Sequence, residues 1–309
     1  MFNSDNSITR TTGKTTRSIK DPIFRLLIAG SLLLGVSELL VRALGAIDFP
    51  LYDADSTIGY IPKANQSSSF LNKNDWVFNE HHMGSRAFAP DTKIDVLLIG
   101  DSIVLGGNPL KQSERLGPQL ESISGSSIWP ISAGSWALRN QLTYLSLNPG
   151  VVSEVDLVVF VLNTGDLDKA SEWKCELTHP RSKPTLAMWY LFKKYVFDFK
   201  ECNRDVEPDL VIENGDLQSE LKKYLLAMGS KTHFILYPDK PQVTDPSLWK
   251  TASKPLRDFL QAAGARHVAD LMASGNWNPS LYRDGIHPTA AGNAELAAFI
   301  HSAIMTNGK

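Results

Sequence analysis

The chain has 309 residues, of which 43% are hydrophobic and 21% are charged. This composition excludes a disordered or collagen-like protein and predicts one large or two modest folded domains. The net charge of −2 leaves no basic surplus for phosphate contacts, so we expect no nucleic acid partner.

The charge is divided unevenly along the chain. Residues 1–25 carry five basic and two acidic side chains, a net charge of +3, whereas the rest of the chain carries −5. A basic stretch rich in Ser and Thr leads directly into apolar residues. This pattern predicts a disordered tail over residues 1–22, followed by a hydrophobic helix over 23–47.

The hydrophobic segment 23–47 has three interpretations. We favour a single transmembrane anchor, because Arg25 and Arg42 can reach the two membrane surfaces and the basic excess lies on the amino-terminal side. The positive-inside rule then places residues 48–309 outside the cytoplasm. The alternatives are a signal peptide cleaved near residues 43–45 and a soluble amphipathic helix packed on the domain.

Residues 48–93 combine scattered aromatic side chains with many Asn, Ser and Gly residues and short alternating runs. This composition predicts a β-hairpin or irregular lead-in that packs on the main domain, which we place at residues 94–309.

The main domain alternates short apolar runs with helical stretches. The apolar runs are 94–99, 127–131, 157–162, 232–237 and 266–269. The helical stretches are 110–123, 136–146, 217–228, 253–263 and 288–304, the last beginning with Pro288. Continuous apolar strands are typical of a parallel sheet covered on both faces. We therefore predict a three-layer α/β/α sandwich with a five-stranded parallel sheet, with ligands beyond the carboxyl ends of its strands.

Polar or small residues follow the first three predicted strands. Ser102 lies in the turn Gly100-Asp-Ser102, which can present a hydroxyl at the top of a sheet. Gly134 follows the second strand and lets a backbone amide approach a substrate oxygen closely. Asn163 follows the third strand and carries a carboxamide donor of the kind that completes an oxyanion hole. Each of these residues also has a purely structural interpretation. Gly100-Asp-Ser102 is a common turn tripeptide, Gly134 can be needed only for its turn, and Asn163 can form an Asx turn or a helix cap.

Residues 168–215 form a long insertion that contains both cysteines of the chain, Cys175 and Cys202. An oxidising compartment would let them pair, and two separate buried thiols are the alternative. With only His179 nearby, these residues fall short of four zinc ligands, so we expect no metal site.

His287 lies near the carboxyl end of the sequence, at the predicted start of the last helix. Asp284, three residues earlier, can fold back within one turn to bond one imidazole nitrogen. That contact would fix the tautomer and leave the other nitrogen to take a proton from a nucleophile. A histidine that only caps the helix is the alternative.

These blocks, in this order, resemble the SGNH hydrolases, a serine esterase superfamily also called GDSL. The resemblance covers residues 94–304 and depends on Gly100-Asp-Ser102 with Gly106, on Gly134 and on Asp284-Gly-Ile-His287. It implies a flavodoxin-like sheet and no cofactor. It also implies a triad of Ser102 as nucleophile, His287 as general base and Asp284 as its orienter. The backbone amides of Ser102 and Gly134 would supply the oxyanion hole.

The third block departs from the family pattern, which usually reads Gly-x-Asn-Asp. Aligned on Asp166, the sequence reads Asn163-Thr-Gly-Asp, with Gly165 where the asparagine belongs. Either Asn163 supplies the amide from two positions earlier, or the oxyanion hole lacks that donor.

The segments Gly59-Tyr-Ile-Pro62 and 132–137 are similar to membrane-anchored SGNH proteins associated with bacterial surface-polysaccharide machinery. This likeness implies an acylated polysaccharide as substrate, most simply an acetyl ester, and polysaccharide-synthesis proteins as partners. We therefore expect an esterase that is anchored in a bacterial inner membrane, faces the periplasm and removes acetyl groups. The insertion 168–215 is then interpreted as a lid or a glycan-contacting element. An O-acetyltransferase with the same triad, or a polysaccharide-binding protein with weak catalysis, are the alternatives.

Overall fold

The computed structural model describes residues 20–196, 202, 205–213 and 215–306. The described residues form nine strands: β1 (Tyr52–Asp55), β2 (Gly59–Pro62), β3 (Gln66–Phe70), β4 (Asn74–Phe78), β5 (Asp95–Gly100), β6 (Ser127–Ser132), β7 (Leu157–Leu162), β8 (Thr232–Leu236) and β9 (His267–Asp270). They also form ten α-helices: α1 (Lys20–Ala43), α2 (Ser102–Leu105), α3 (Leu116–Ser124), α4 (Leu138–Leu147), α5 (Pro149–Glu154), α6 (Ala187–Tyr195), α7 (Leu217–Met228), α8 (Lys240–Thr244), α9 (Pro246–Ala263) and α10 (Ala290–Thr306).

The central sheet contains β5 to β9, all parallel, in the spatial order β6-β5-β7-β8-β9. Numbered from the first strand of the sheet, this is the order 2-1-3-4-5 of flavodoxin-like folds. Each strand begins and ends within one residue of its predicted bounds. The predicted five-stranded parallel sheet is therefore confirmed.

The sheet is buried on both faces, as its continuous apolar sequence requires. All six residues of β5 are buried, and alternate side chains enter different apolar clusters. Leu97 and Ile99 pack with α4, α5, α7 and α9, whereas Val96 and Leu98 pack with α3 and α10. Full burial of such a side chain contributes about 1.5–3 kcal/mol. Helices thus cover both faces, and the three-layer sandwich is confirmed.

The helices follow the sequence pattern less closely than the strands do. The predicted helix 110–123 is divided, because a 3₁₀ turn over Gln112–Glu114 precedes α3. Helix α9 begins seven residues earlier than expected, where the Asp245 side chain accepts a hydrogen bond from the Ser247 backbone and proline occupies the first helical position.

The predicted start of the last helix at Pro288 is wrong. Pro288 forms an isolated antiparallel bridge with Tyr282, which keeps its backbone extended, and α10 begins only at Ala290. His287 therefore lies in a closed loop three residues before the helix. This loop, rather than a helix terminus, sets its orientation.

Residues 48–93 contain two antiparallel hairpins, β1–β2 and β3–β4. Tyr60 is buried in the same apolar cluster as Leu97 and Ile99 of β5, and Trp76 is also buried. The Trp136 indole Nε1 donates to the Tyr60 carbonyl at 2.7 Å, and the Tyr60 hydroxyl donates to the Gly134 carbonyl at 2.6 Å. The first hairpin is thus fixed to the loop that follows β6, at the carboxyl edge of the sheet.

Helix α1 is the one helix in the described part of the chain that is long and apolar enough to cross a membrane, over Phe24–Ala43. Its apolar side chains face outward: Leu26 is 74% exposed and Leu33 68% exposed. This exposure disagrees with the alternative of a soluble helix packed on the domain. The helix ends at Ala43, and Ile47 is already buried in the domain. The basic tail before residue 20 lies outside the described residues.

Cys175 and Cys202 form a disulfide within the insertion 168–215. Both are buried in a small cluster that also contains Phe49 and Tyr190. The insertion is thereby fastened to the segment that leaves α1.

Candidate active site

Ser102 lies two residues after the end of β5 and is the first residue of the short helix α2. The Asp101 side chain caps this helix by accepting a hydrogen bond from the Ile103 backbone N–H at 2.8 Å. Gly100 is needed because a Cβ there would lie only 2.6 Å from the Val104 side chain. The turn thus packs tightly against the sheet and directs the half-buried Ser102 away from it.

Ser102, His287 and Asp284 form one continuous hydrogen-bonded series. The Ser102 Oγ lies 2.9 Å from His287 Nε2, and His287 Nδ1 lies 2.9 and 3.0 Å from the two Asp284 oxygens. With its proton on Nδ1, the ring donates to Asp284 and accepts from the serine hydroxyl. This is the geometry required for a serine activated by a general base.

The Asp284 carboxylate is held by several donors at once. Its Oδ1 accepts hydrogen bonds from the backbone N–H groups of Ile286 and His287, at 3.0 and 2.8 Å. Partial burial alone would raise the pKa of Asp284, but these two N–H groups and the His287 ring together lower it to about 2. Asp284 is therefore charged at any pH at which the protein would work.

The register of the sheet brings Ser102 and Gly134 to neighbouring positions. Gly100 pairs with Ser132, and each candidate residue follows two positions later in its own chain segment. Neither the Ser102 nor the Gly134 backbone N–H has an acceptor within the described part of the chain. Two such N–H groups at one sheet edge can bind a developing oxyanion.

Asn163 adopts the Asx turn that was one of its two interpretations. Its Oδ1 accepts from the Gly165 backbone N–H at 2.7 Å, and its Nδ2 donates to the Asp101 carboxylate at 3.0 Å. One amide hydrogen is thus directed at Asp101, which leaves the second for any oxyanion contact. The structure brings Asn163 to the site, and its role as an oxyanion donor stays a prediction.

Two buried carboxyl groups beneath the site were not singled out by the sequence. Asp101 is 5% exposed and Asp166 is 2% exposed. Burial raises the pKa of Asp101 to about 6; burial, followed by the charge of Asp101, raises the pKa of Asp166 well above its ordinary value. Both residues were visible in the motifs, but nothing in the sequence indicated that they are buried side by side.

His179, considered above only as a metal ligand, covers Gly134. Its Nε2 lies 3.6 Å from the position that a Cβ on Gly134 would occupy, and its ring centroid lies 3.9 Å from that of Tyr60. Burial lowers the pKa of His179 to about 4, so its ring is neutral near pH 7. No local pattern identified this residue, because its position depends on how the insertion folds back over the sheet.

Comparisons with known proteins give matches among solved structures. No protein-family model and no curated protein matches the sequence. A carbohydrate esterase family 2 enzyme with its carbohydrate-binding domain, from Myceliophthora fergusii, is 17% identical over 71% of this chain and 68% of that chain, with a TM-score of 0.41. The catalytic domain of Streptococcus pneumoniae peptidoglycan O-acetyltransferase A is 15% identical over 70% of this chain and 95% of that chain, with a TM-score of 0.38. A lipolytic protein of the G-D-S-L family from Veillonella parvula is 11% identical over 69% of this chain and 98% of that chain, with a TM-score of 0.38.

Proposed function

We propose that the chain is a serine esterase of the SGNH type, anchored in the membrane by α1 with its active site outside the cytoplasm. The observation that carries the proposal is the hydrogen-bonded series from Asp284 through His287 to Ser102, at the carboxyl edge of a parallel sheet. Ligands of open α/β sheets bind at this edge.

The reaction follows from the roles that the geometry allows. The Ser102 oxygen attacks the ester carbonyl while His287 Nε2 takes its proton, and the oxyanion is bound by the N–H groups of Ser102 and Gly134. His287 then protonates the departing alcohol, which leaves an acyl group on Ser102. Water, deprotonated by the same nitrogen, releases the acid and restores the hydroxyl.

Asp284, Asp101 and Asn163 have supporting roles. Asp284 holds the His287 ring in the tautomer that can accept a proton, and its charge stabilises the imidazolium that forms. Asp101 and Asn163 hold the turn that presents Ser102.

We assign the substrate as an acyl ester, most simply acetyl, on a cell-surface polysaccharide. The resemblance to membrane-anchored SGNH proteins supports this class, as does an apolar helix that leads directly into the domain. The disulfide between Cys175 and Cys202 favours an oxidising compartment outside the cytoplasm.

The proposal is tested on the full chain purified in detergent. We expect a fluorophosphonate probe to label the chain and its Ser153→Ala variant, a matched exposed serine, but not the Ser102→Ala variant. We also expect acetate release from an acetylated polysaccharide, abolished by Ser102→Ala. Labelling that does not depend on Ser102, together with no acetate release, would contradict the proposal. Acyl groups on an added glycan acceptor in excess of free acetate would indicate a transferase instead.

A further inference from the structure

A cavity of about 140 Å³ adjoins the proposed active site. Its walls come from the segment after α1, the loop after α2 and the insertion, and they include Tyr52, Gly107, Arg115, Thr178 and Lys194. Two of its lining residues are cationic and none is acidic. A cavity of about 150 Å³ can hold a benzene molecule, so this one is large enough for a carboxylate or phosphate group.

Arg115 is the most buried charged residue of this cavity, with 4% of its surface exposed. Its Nη2 donates to the Gly107 carbonyl at 3.4 Å, while its buried Nε has no acceptor among the residues that the structure describes. Burial lowers the pKa of Arg115 to about 10, so the guanidinium stays charged near pH 7. A buried cation with an unused donor is costly unless an anion binds to it.

Lys194 supplies the second charge from the other wall. Its ammonium lies 5.4 Å from the Phe49 ring centroid and 5.6 Å from that of Tyr190. No carboxylate of the described residues lies within ion-pair distance of it. The aromatic rings attract the ammonium but leave its donors for a ligand.

Two walls of the cavity lie beside residues that adjoin the proposed active site. A Cβ on Gly107 would lie 3.5 Å from Arg283 Nη2, and Arg283 precedes Asp284 in the chain and pairs with it at 3.7 Å. On the other side, the Tyr52 ring contacts the His179 ring that covers Gly134. Leu105 also lines the cavity and lies in the same short helix as Ser102. A substrate whose ester lies at Ser102 can therefore place a neighbouring substituent in the cavity.

We propose that this cavity is a subsite for an anionic group, a carboxylate or a phosphate, carried by the substrate near its acylated position. The proposal rests on the proposed esterase function and names its substrate class as acidic glycans. Arg115 and Lys194 act here as binding residues that determine specificity.

The test compares acetylated sugars that differ only in charge. We expect the full chain to prefer an acetylated methyl glucuronide, or the corresponding sugar 6-phosphate, over the neutral methyl glucoside by about 10- to 100-fold in kcat/KM. Lys194→Gln and Arg115→Lys should reduce this preference, by lowering kcat/KM for the charged sugars more than for the neutral sugar. Lys222→Gln, an exposed lysine on α7, should change neither.

A second readout does not depend on catalysis. Inorganic phosphate should raise the melting temperature of the Ser102→Ala chain, and Lys194→Gln should reduce that shift. Equal rates on the charged and neutral sugars, or a preference that both cavity variants retain, would overturn the subsite while leaving the esterase intact. If no sugar is cleaved in a Ser102-dependent way, the esterase function is overturned. The subsite is then tested by the melting temperature alone, and it is overturned if inorganic phosphate does not raise that temperature.

A different observation concerns the surface beside α1. Glu38 accepts hydrogen bonds from the backbone N–H groups of Ala187 and Met188, the first residues of α6, at 2.8 and 2.9 Å. Arg42 pairs with Glu38 and donates to the carbonyls of Pro184 and Thr185. Glu38, the one acidic residue of the apolar segment Phe24–Ala43, thus caps α6, and α6 begins against the end of the anchor.

Helix α6 exposes an apolar face instead of a polar one. Ala187 and Tyr190 are buried, whereas Trp189 is 52% exposed and Tyr195 70% exposed. Leu186, immediately before the helix, is 61% exposed. Exposed Trp and Tyr side chains beside a membrane span are typical of the interfacial zone of a bilayer.

We infer that α6 lies in the outer interface of the bilayer, with Trp189 among the lipid headgroups. This inference rests on the anchor assigned to α1 in the proposed function. The full chain, reconstituted in phosphatidylcholine and phosphatidylglycerol vesicles, should show tryptophan fluorescence that brominated lipids quench. Trp189→Phe should remove most of that quenching, whereas Trp249→Phe, a buried tryptophan, should not. Quenching unchanged by Trp189→Phe in an inserted chain would overturn the placement of α6 alone, and release of the chain by carbonate would overturn the anchor as well.

Discussion

Asn163 donates its side-chain amide to the buried carboxylate of Asp101, with 3.0 Å between Nδ2 and Oδ2. Its backbone N–H donates to Asp166 at 2.6 Å. One residue at the end of β7 therefore contacts both buried carboxylates and joins β7 to the turn that presents Ser102.

Replacing Asn163 with Ala should destabilise the fold more at high pH than at low pH. The variant leaves the Asp101 carboxylate without one donor, which costs about 1–3 kcal/mol in the free energy of unfolding when the carboxylate is charged. The pKa of Asp101 is about 6, so the cost should be larger at pH 8 than at pH 5. Urea denaturation at both pH values measures it, with exposed Asn276→Ala as control. An equal loss at both pH values would show that the contact does not depend on charge.

The stability of the protein should fall as the pH rises through the range in which these carboxyl groups ionise. Burial raises the pKa of Asp101 from 3.8 to about 6, and that of Asp166 rises in the same direction. A carboxyl group with a raised pKa binds its proton more tightly in the folded state. Its stabilising contribution is therefore present at low pH and is lost between about pH 4 and 6, on the order of 1–3 kcal/mol for Asp101.

The Asp166→Asn variant isolates this effect from other titrating groups. It keeps an acceptor for the Asn163 N–H and removes a carboxyl group whose pKa is raised by folding, so its stability should decline less than that of the wild type between pH 5 and 8. Urea denaturation of both proteins at pH 5, 6.5 and 8 gives the comparison. Parallel curves for the two proteins would mean that folding does not raise the pKa of Asp166.

The strands could be predicted from the sequence because they depend on local patterns. A strand buried on both faces needs a continuous apolar run, and a residue such as Ser102 directly after it must lie at the sheet edge. The start of α10 was predicted wrongly, because the bridge between Pro288 and Tyr282 competes with the preference of proline for the first helical turn. His179 and Arg115 could not be assigned, because their partners are distant in sequence and meet only through the folding of the insertion and the hairpins.

Removing the disulfide should destabilise the insertion and the wall that carries Lys194. The bond closes a loop between cysteines 27 positions apart, and loss of such a bond costs about 2–4 kcal/mol. We expect the Cys175→Ser, Cys202→Ser double variant to melt at a lower temperature. The wild type should approach the same value when reductant is added, and the variant should not respond. Thiol labelling that finds two free cysteines in natively exported protein would contradict the pairing.

Replacing Asp284 with Asn should lower kcat/KM by about 10³- to 10⁴-fold while the fold is retained. The asparagine oxygen can still accept the backbone N–H groups of Ile286 and His287, so the loop should keep its shape and the melting temperature should change little. What changes is the tautomer: an amide can donate to Nδ1, which moves the ring proton to Nε2 and leaves no acceptor for the Ser102 hydroxyl.

The pH dependence of this variant tests whether Asp284 acts by fixing the tautomer of His287 at every pH in the working range. The pKa of Asp284 is about 2, so its carboxylate stays charged in the wild type above about pH 4 and does not titrate in the working range. Loss of activity in the wild type between pH 5 and 8 therefore has to come from another group, and the Asp284→Asn variant should be impaired at every pH in that range. Steady-state kinetics with an aryl acetate over pH 5–9 measure both curves. A variant that regains wild-type kcat/KM at any pH would show that Asp284 does not fix the tautomer of His287.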